Sequence, residues 1–210
     1  MSANNGFDVH VLVFARAPVP GKVKTRLAVA IGDDRAAALH ADLLQRAVAT
    51  AVAAGLGPVT LCCTPDVNHP CFEQAASAYG IALTNQEGAD LGERMYGSLT
   101  TALAGAAAAI VIGCDCPFID TTYLGEAAAF LAGRHTQVVI GPAVDGGYVL
   151  LGASRLHPSL FEDVPWGRDR VLAVTRNRLE ALGWSWRELA PLHDIDRPED
   201  IALLEDRPHR

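Results

Sequence analysis

The sequence predicts an α/β fold, a three-layer α/β/α sandwich around a mixed, mostly parallel central sheet. Apolar, β-branched runs alternate with amphipathic helical segments through the first half of the chain, which is the pattern of a parallel sheet covered by helices on both faces. Two later strands are separated only by residues 142–146. That gap is too short for a helical crossover, so this part of the sheet should be antiparallel or bent. Aromatic residues make up 6% of an alanine-rich chain, which favours helices packed on a sheet over a β-sandwich.

The strands are predicted from short apolar runs that end at turn residues. The first, VHVLVF at 9–14, is nearly continuous in apolar residues and is therefore typical of a strand buried on both faces. The others are predicted at 58–63, 81–84, 109–113, 137–141, 147–152 and 184–189.

The helices are predicted from capping residues and from apolar side chains at helical spacing. A loop at 15–32 leads to Asp33, the expected N-cap of a helix that stops at Gly55. Asp90 begins another helix with a capping-box pattern, and Asp120 caps a third. Further helices are predicted at 68–79, 168–182 and 198–205.

The length and composition of the chain limit the classes of protein to which it can belong. With 210 residues, of which 50% are hydrophobic and 20% charged, we expect a single globular domain over 1–210 and not a disordered chain. The net charge of −7 argues against a general nucleic-acid binder or an anionic-membrane binder. A basic pocket for one small anion is compatible with it.

We expect a cytoplasmic protein with no membrane span. Residues 1–8 lack the basic start and apolar region of a secretory signal. The uncharged stretch 95–114 contains polar residues and three glycines, so it is predicted to be a helix end, a turn and a buried strand. The five cysteines are odd in number and lack zinc-site spacing, which indicates reduced thiols. The sequence leaves the oligomeric state open.

A basic loop follows the first strand. The segment ARAPVPGKVKTRL at 15–27 carries Arg16, Lys22, Lys24 and Arg26, and residues 9–32 include no acid. The loop has neither P-loop nor dinucleotide-fold glycine spacing. Cations and backbone N–H groups at a strand end can converge on a polyphosphate, so we predict a phosphate-binding loop. The alternative is a solvated basic loop.

Asp115 lies directly after the predicted strand 109–113, with Pro117 turning the chain away. A carboxylate at a strand end is a natural ligand for Mg²⁺ or Mn²⁺, which prefer oxygen donors. We expect it to face other acids and to be electrostatically strained when no ion is bound. The alternative is a carboxylate that only caps the turn.

Two further strand ends carry acids. Asp145 precedes two glycines, which allow close backbone approach to a ligand but are also common in a simple hairpin turn. Asp194 and Asp196 share one face of an extended segment, so either or both could join Asp115 on a metal. The alternative is a charged loop before a helix. Taken together, a basic loop and separate acidic strand ends indicate metal-assisted chemistry on a nucleotide.

Five segments resemble a known family in the same order along the chain: FARAPVPGKVKTRLA, DLGERM, GCDCP, GPAVDGGYVLLG and DIDRPEDIALL. They are similar to the radical-SAM/selenodomain-associated transferases, a family often described as arsenosugar-biosynthesis glycosyltransferases. That family is similar in fold to GT-A glycosyltransferases and to the nucleotidylyltransferases of molybdenum-cofactor and deazaflavin-cofactor assembly. The resemblance implies a GT-A-like, nucleoside-diphosphate-sugar-transferase fold.

The resemblance also implies roles for individual residues. Asp115 would be the metal-binding carboxylate, and Asp196 the second carboxylate beside the metal, with Asp194 as its neighbour. Nucleotide-binding residues would be Arg16, Lys22, Lys24 and Arg26 at the phosphates, and Gln86, Gly88 and Gly92 around the start of the DLGERM segment.

The function expected from these observations is a metal-dependent transferase that uses a nucleotide or nucleotide-sugar donor, Mg²⁺ or Mn²⁺, and a small-molecule acceptor. A glycosyltransferase is favoured, with Asp145 as general base and Lys24 stabilising the leaving diphosphate. One alternative is a nucleotidylyltransferase that couples an NTP to a phosphorylated small molecule and releases pyrophosphate. Another is a non-catalytic nucleotide-binding protein with the same fold.

Overall fold

The computed structural model describes residues 8–133, 135–167 and 169–205. The strands are β1 Val9–Arg16, β2 Val59–Thr64, β3 Ala82–Asn85, β4 Ala108–Gly113, β5 Val138–Pro142, β6 Tyr148–Ala153 and β7 Trp186–Glu188. The helices are α1 Thr25–Ile31, α2 Asp33–Ala53, α3 Pro70–Tyr79, α4 Leu91–Leu103, α5 Thr121–Ala132, α6 Val171–Ala181 and α7 Ala202–Glu205. Short 3₁₀ turns lie at Pro158–Leu160 and Pro198–Ile201.

The strands form one seven-stranded sheet in the order β3-β2-β1-β4-β6-β5-β7. All neighbouring pairs are parallel except those of β6, which is antiparallel to both β4 and β5. The predicted α/β class with a mixed, mostly parallel sheet is therefore confirmed. The short connection between β5 and β6 forces their antiparallel pairing, as expected from its length.

Each face of the sheet has its own hydrophobic core, which produces the three layers. Val11 and Val13 of β1 pack on one face in the same core as helices α2, α3 and α5, whereas Leu12 and Phe14 belong to the opposite core, with α4 and α6. Both faces of β1 are thus buried. This explains why its sequence is nearly continuous in apolar residues instead of alternating.

Several element boundaries differ from the prediction. The predicted loop 15–32 contains α1, a short helix in which only Leu27 is buried and Val29 is exposed. So short an apolar pattern gives little helical signal. Helix α2 has Gly32 at its N-cap, with a φ of 84°, in place of the predicted Asp33. Helix α6 begins at Val171, later than predicted, and Arg168 lies outside the described residues.

The sheet topology leaves a crevice between the ends of β1 and β4. From β1 the chain builds β2 and β3 on one side, and then places β4 on the other side. Ligands of such sheets bind where the order reverses, beyond the carboxyl ends of the strands. The basic loop follows β1 and Asp115 follows β4, so the two segments flank this point.

The stretch 95–114 consists of the end of α4, a turn and β4, as predicted. Among the described residues, no helix combines the length and apolar character needed to cross a bilayer. Cys62, Cys63, Cys71, Cys114 and Cys116 are free thiols.

Candidate functional site

A cleft of about 640 Å³ opens at the switch point of the sheet. Many residues singled out from the sequence form its wall: Arg16, Arg26, Gln86, Asp115, Asp145, Asp194 and Asp196. The topology therefore brings the basic loop and the acidic strand ends into one cavity. Lys22, Lys24, Gly88 and Gly92 lie outside that wall.

Lys24 is buried and lies outside the cleft wall, whereas the sequence predicted a loop cation that contacts phosphate, with a solvated loop cation as the alternative. Its backbone adopts the left-handed conformation, with a φ of 49°, at the N-cap of α1. The side chain is 2% exposed, and its Nζ lies 2.6 Å from Oδ1 of Asp115. The ammonium also donates to the carbonyl oxygen of Ile195 at 2.5 Å. Any contact between Lys24 and a phosphate would require it to leave these partners. Lys22, in contrast, is exposed on the loop.

The negative charge of Asp115 is compensated by the Lys24 ammonium, whereas the sequence predicted a strained carboxylate that faces other acids. Its side chain is 48% exposed at the end of β4, and Oδ1 faces both Lys24 and the ring of His40. Partial burial in the cleft disfavours the ionised form, but the Lys24 ammonium outweighs it and holds the pKa of this carboxyl well below its usual range. Asp115 therefore carries its charge with a counter-ion already supplied by the protein.

The acidic segment at 194–196 is fixed against β4. The backbone N–H of Ile195 donates to the carbonyl oxygen of Asp115 at 2.9 Å. Arg26 donates to Oδ2 of Asp196 at 2.7 Å across the mouth of the cleft. Two cations of the basic loop are therefore paired with two of the predicted metal ligands. The Arg26 pair is largely exposed, so it is expected to be weak and exchangeable.

Asp194 is partly buried and close enough to other carboxylates to be repelled by them. Burial, followed by repulsion from Asp145, Asp115 and Asp196, raises its pKa above the ordinary value of 3.8. A divalent cation bound among these carboxylates would relieve that repulsion, since hard cations take several oxygen ligands. Among the described residues, the donor atoms grouped closely enough to hold one ion belong to His40, Cys114 and Asp115, which lie within 4.8 Å of one another.

Asp145 lies in the turn between β5 and β6. Its Oδ1 accepts a hydrogen bond from the backbone N–H of Gly147 at 3.0 Å, so the carboxylate helps to shape the turn. The same side chain also lines the cleft. Asp145 can therefore shape the turn and face a ligand in the cleft at the same time.

Gln86 is held in place by main-chain carbonyls. Its Nε2 donates to the carbonyl oxygens of Cys62 at 2.8 Å and Ala15 at 3.3 Å. Since these carbonyls only accept, they fix the orientation of the amide. The side-chain oxygen is then the group that Gln86 can offer to a ligand.

Gly88 and Gly92 serve the packing of α4. A Cβ at Gly92 would lie 2.4 Å from the carbonyl oxygen of Phe161 and 2.8 Å from Nε1 of Trp166. A Cβ at Gly88 would lie 2.7 Å from that of Glu93, and its φ is 138°. Close approach of the chain therefore accounts for both glycines, and neither lines the cleft as a nucleotide-binding role would suggest.

Sequence reasoning missed two cleft residues, His40 and Arg94. Arg94 donates from Nε to the carbonyl oxygen of Gly88 at 3.0 Å and adds a cation to the wall. Its place in the DLGERM segment was the available signal. His40 is 4% exposed and projects from α2 toward Asp115. As a polar residue amid the buried positions Ala36, Ala37, Leu43 and Leu44, it could have been recognised from the helical pattern.

The fold is similar to several solved structures. A protein from Desulfovibrio desulfuricans G20, described by inference as a nucleotide-diphospho-sugar transferase, is 28% identical, with a TM-score of 0.85 over 95% of this chain and 87% of that one. A cytidylyltransferase from Leptospira borgpetersenii is 17% identical, with a TM-score of 0.61 over 95% and 85% of the two chains.

Glucosyl-3-phosphoglycerate synthase from Mycobacterium tuberculosis, solved with Mn²⁺, UDP and phosphoglyceric acid, is 13% identical. Its TM-score is 0.56 over 95% of this chain and 75% of that one. No protein of curated function matches at a significant level. The model of the family described as "Uncharacterized protein conserved in bacteria (DUF2064)" matches residues 47–168, more than half of the chain, and the chain therefore belongs to this family.

Proposed function

We propose that this protein is a metal-dependent transferase that moves a sugar from a nucleotide-activated donor to a small-molecule acceptor. One observation carries the proposal: arginines at and just after the end of β1, and carboxylates that follow three other strands, line a single cleft at the switch point. A nucleoside diphosphate needs cations for its phosphates, and its metal needs oxygen ligands.

The roles divide along the cleft. Arg16 and Arg26 would bind the diphosphate and stabilise the charge that develops on it as the glycosidic bond breaks. Asp115, Asp194 and Asp196 would hold Mg²⁺ or Mn²⁺, and the bound ion would neutralise the departing diphosphate. Lys24 would compete with the ion for Asp115, since its ammonium is buried against that carboxylate.

Asp145 is proposed as the general base for the acceptor. It lines the cleft from the β5–β6 turn, as does Tyr148. Its negative charge acts on Asp194, whose pKa is raised by burial and then by repulsion from Asp145. A specific role in arsenosugar chemistry stays a prediction of the family resemblance.

Support for the sugar donor comes from the similarity to the D. desulfuricans protein described as a nucleotide-diphospho-sugar transferase. The resemblance to a cytidylyltransferase concerns the fold. Nucleotidyl transfer is therefore an outcome to be distinguished by its product.

The test measures the product released from two donor panels in the presence of Mn²⁺. Nucleoside-diphosphate sugars are assayed for free NDP, with water or added small molecules as acceptor, and NTPs are assayed for pyrophosphate. Free NDP from at least one sugar nucleotide is expected. Arg16→Met should lose this activity, and Arg35→Met, which changes an exposed arginine of α2 outside the cleft wall, should retain it. Pyrophosphate without NDP would indicate nucleotidyl transfer, and binding without either product would refute the enzyme proposal.

A further inference from the structure

One ring nitrogen of His40 has a hydrogen-bond partner, and the other has none in the described part of the chain. Nε2 lies 3.0 Å from the carbonyl oxygen of Arg16. Nδ1 is buried and makes no hydrogen bond within the described part of the chain. A buried polar atom without a hydrogen-bond partner is costly, so the groups around Nδ1 indicate what it could bind. Nδ1 lies 3.4 Å from Oδ1 of Asp115.

The tautomer follows from the partner of Nε2. A carbonyl oxygen can only accept, so Nε2 carries the hydrogen. In the neutral ring, Nδ1 then presents a lone pair to the oxygen of an ionised carboxylate. Histidines that bind metals typically show this arrangement, with the second ring N–H donated to a carbonyl that orients the ring.

The separation of the two atoms suits a shared cation. At 3.4 Å the gap is longer than an N–H···O hydrogen bond of about 2.7–3.2 Å. Two donors that each lie about 2.0–2.2 Å from one ion, at a roughly tetrahedral angle, are separated by a distance of this size. Cys114 Sγ completes a group of donor atoms that all lie within 4.8 Å of one another.

We propose that Nδ1 of His40 and a carboxylate oxygen of Asp115 are ligands of the same divalent ion, and that the site therefore selects Mn²⁺ or Co²⁺ over Mg²⁺. The inference deepens the proposed function and rests on its metal dependence. An imidazole nitrogen binds first-row transition metals better than it binds Mg²⁺, which prefers oxygen donors. His40 is then the residue that determines metal specificity.

Lys24 is the competitor of the ion. Its ammonium lies 2.6 Å from the same oxygen of Asp115. A divalent ion at that oxygen displaces the ammonium, since two cations cannot share it without strong repulsion. Replacing Lys24 by methionine keeps the side-chain volume and removes the competing charge, so Lys24→Met should bind Mn²⁺ more tightly than the wild type in the absence of nucleotide.

The first experiment uses the wild-type protein with Mn²⁺ alone as probe. Electron spin-echo envelope modulation of bound Mn²⁺ is recorded on protein with natural histidine and on protein with ¹⁵N-labelled histidine. The expected spectrum shows histidine nitrogen coupling that changes with the label. This measurement does not depend on the folding of any variant.

The second experiment assigns the nitrogen, because the chain has seven histidines. His40→Gln should lose the coupling and weaken Mn²⁺ binding about tenfold or more, with a much smaller change for Mg²⁺. The matched control is His10→Gln, since His10 contacts Thr60 on the neighbouring strand and lies outside the cleft wall. That control should retain the coupling. Circular dichroism checks that both variants are folded.

The outcomes separate the two proposals. If Mn²⁺ binds the wild type without histidine coupling, the assignment of His40 is wrong while the proposed function stands. If His40→Gln weakens Mn²⁺ and Mg²⁺ equally, His40 supports the structure of the site and is not a ligand. If Mn²⁺ fails to bind with or without UDP, the metal dependence in the proposed function fails as well.

Discussion

Asp115 is the residue on which the charges of the cleft converge. Its carboxylate is the counter-ion of Lys24, whose side chain is 2% exposed. We expect Asp115→Asn to lower the free energy of unfolding by about 1–3 kcal/mol, because it leaves a buried ammonium without its negative partner. Urea unfolding without metal measures this change.

The matched control is Asp196→Asn, which removes a counterpart of the exposed Arg26. Exposed pairs contribute little, so its loss should stay below about 1 kcal/mol. Equal effects of the two variants would show that burial of Lys24 does not matter. The sequence predicted a strained carboxylate that faces other acids, because no local pattern shows that Lys24 is its partner.

Ionisation of Asp194 destabilises the folded protein, whereas ionisation of Asp115 stabilises it. Its pKa is raised in the folded protein by burial and by repulsion, first from Asp145. Ionisation therefore costs the folded state, and this cost appears as the pH rises from the ordinary value of 3.8 through the raised pKa. Asp194→Asn should raise the melting temperature at pH 7, with a gain that shrinks as the pH falls toward 4.

Ionised Asp115 contributes favourably to the free energy of unfolding, in contrast to ionised Asp194. Its pKa is lowered, so its stabilisation is present above the ordinary value of 3.8 and is lost as the pH falls below it. Melting temperatures of wild type, Asp194→Asn and Asp115→Asn across this range check both signs. A lower melting temperature for Asp194→Asn at pH 7 would contradict the repulsion seen around Asp194.

At the scale of the element, α4 depends on close approach at Gly92. Because an added Cβ would lie 2.4 Å from the Phe161 carbonyl oxygen, Gly92→Ala must shift the helix, and we expect a loss of about 1–3 kcal/mol. Gly97 on the same helix has nothing within 4 Å of an added Cβ. Gly97→Ala should therefore stabilise by up to about 1 kcal/mol through helix propensity. Urea unfolding of both variants tests this, and similar effects would remove the packing explanation for Gly92.

Helix starts were predicted correctly where a capping side chain marks them. Asp90 accepts from the N–H of Glu93 at 2.9 Å and Asp120 accepts from that of Tyr123 at 2.8 Å, as their caps predicted. Helix α1 was missed because it is brief and buries little. It matters for the site, since it carries Arg26 and has Lys24 at its N-cap.

At the scale of the whole molecule, the cleft is internally neutralised by pairs that a ligand must exchange. Lys24 and Arg26 are bound to Asp115 and Asp196. A divalent ion would take the carboxylates and free the cations, which can then bind the phosphates. We therefore expect UDP and Mn²⁺ each to bind more tightly when the other is present, by about tenfold.

Isothermal titration of UDP with and without Mn²⁺, and of Mn²⁺ with and without UDP, measures this coupling. The two enhancement factors should be equal, because linkage is reciprocal. In Asp196→Asn, Arg26 is already free, so UDP should bind better without metal and the coupling should fall. Independent binding of the two ligands would contradict the exchange of partners.

The sequence by itself determined the fold class, the caps and the positions of the charged strand ends. These features depend on periodicity, on capping chemistry and on the rule that ligands bind beyond the carboxyl ends of strands. It also placed Arg16, Arg26, Asp115 and the acidic segment at the correct edge of the sheet, since residues that follow parallel strands meet there.

Only the tertiary structure decided which charges are paired. Lys24 meets Ile195 across 171 positions of the chain, and Arg26 meets Asp196 across 170. No local pattern encodes such partners. The helical pattern can mark His40 as a buried polar position of α2, but only the folded chain brings Asp115 beside it. Whether a charge is free for a ligand or already neutralised depends on distance and burial, and these exist only once the chain has folded.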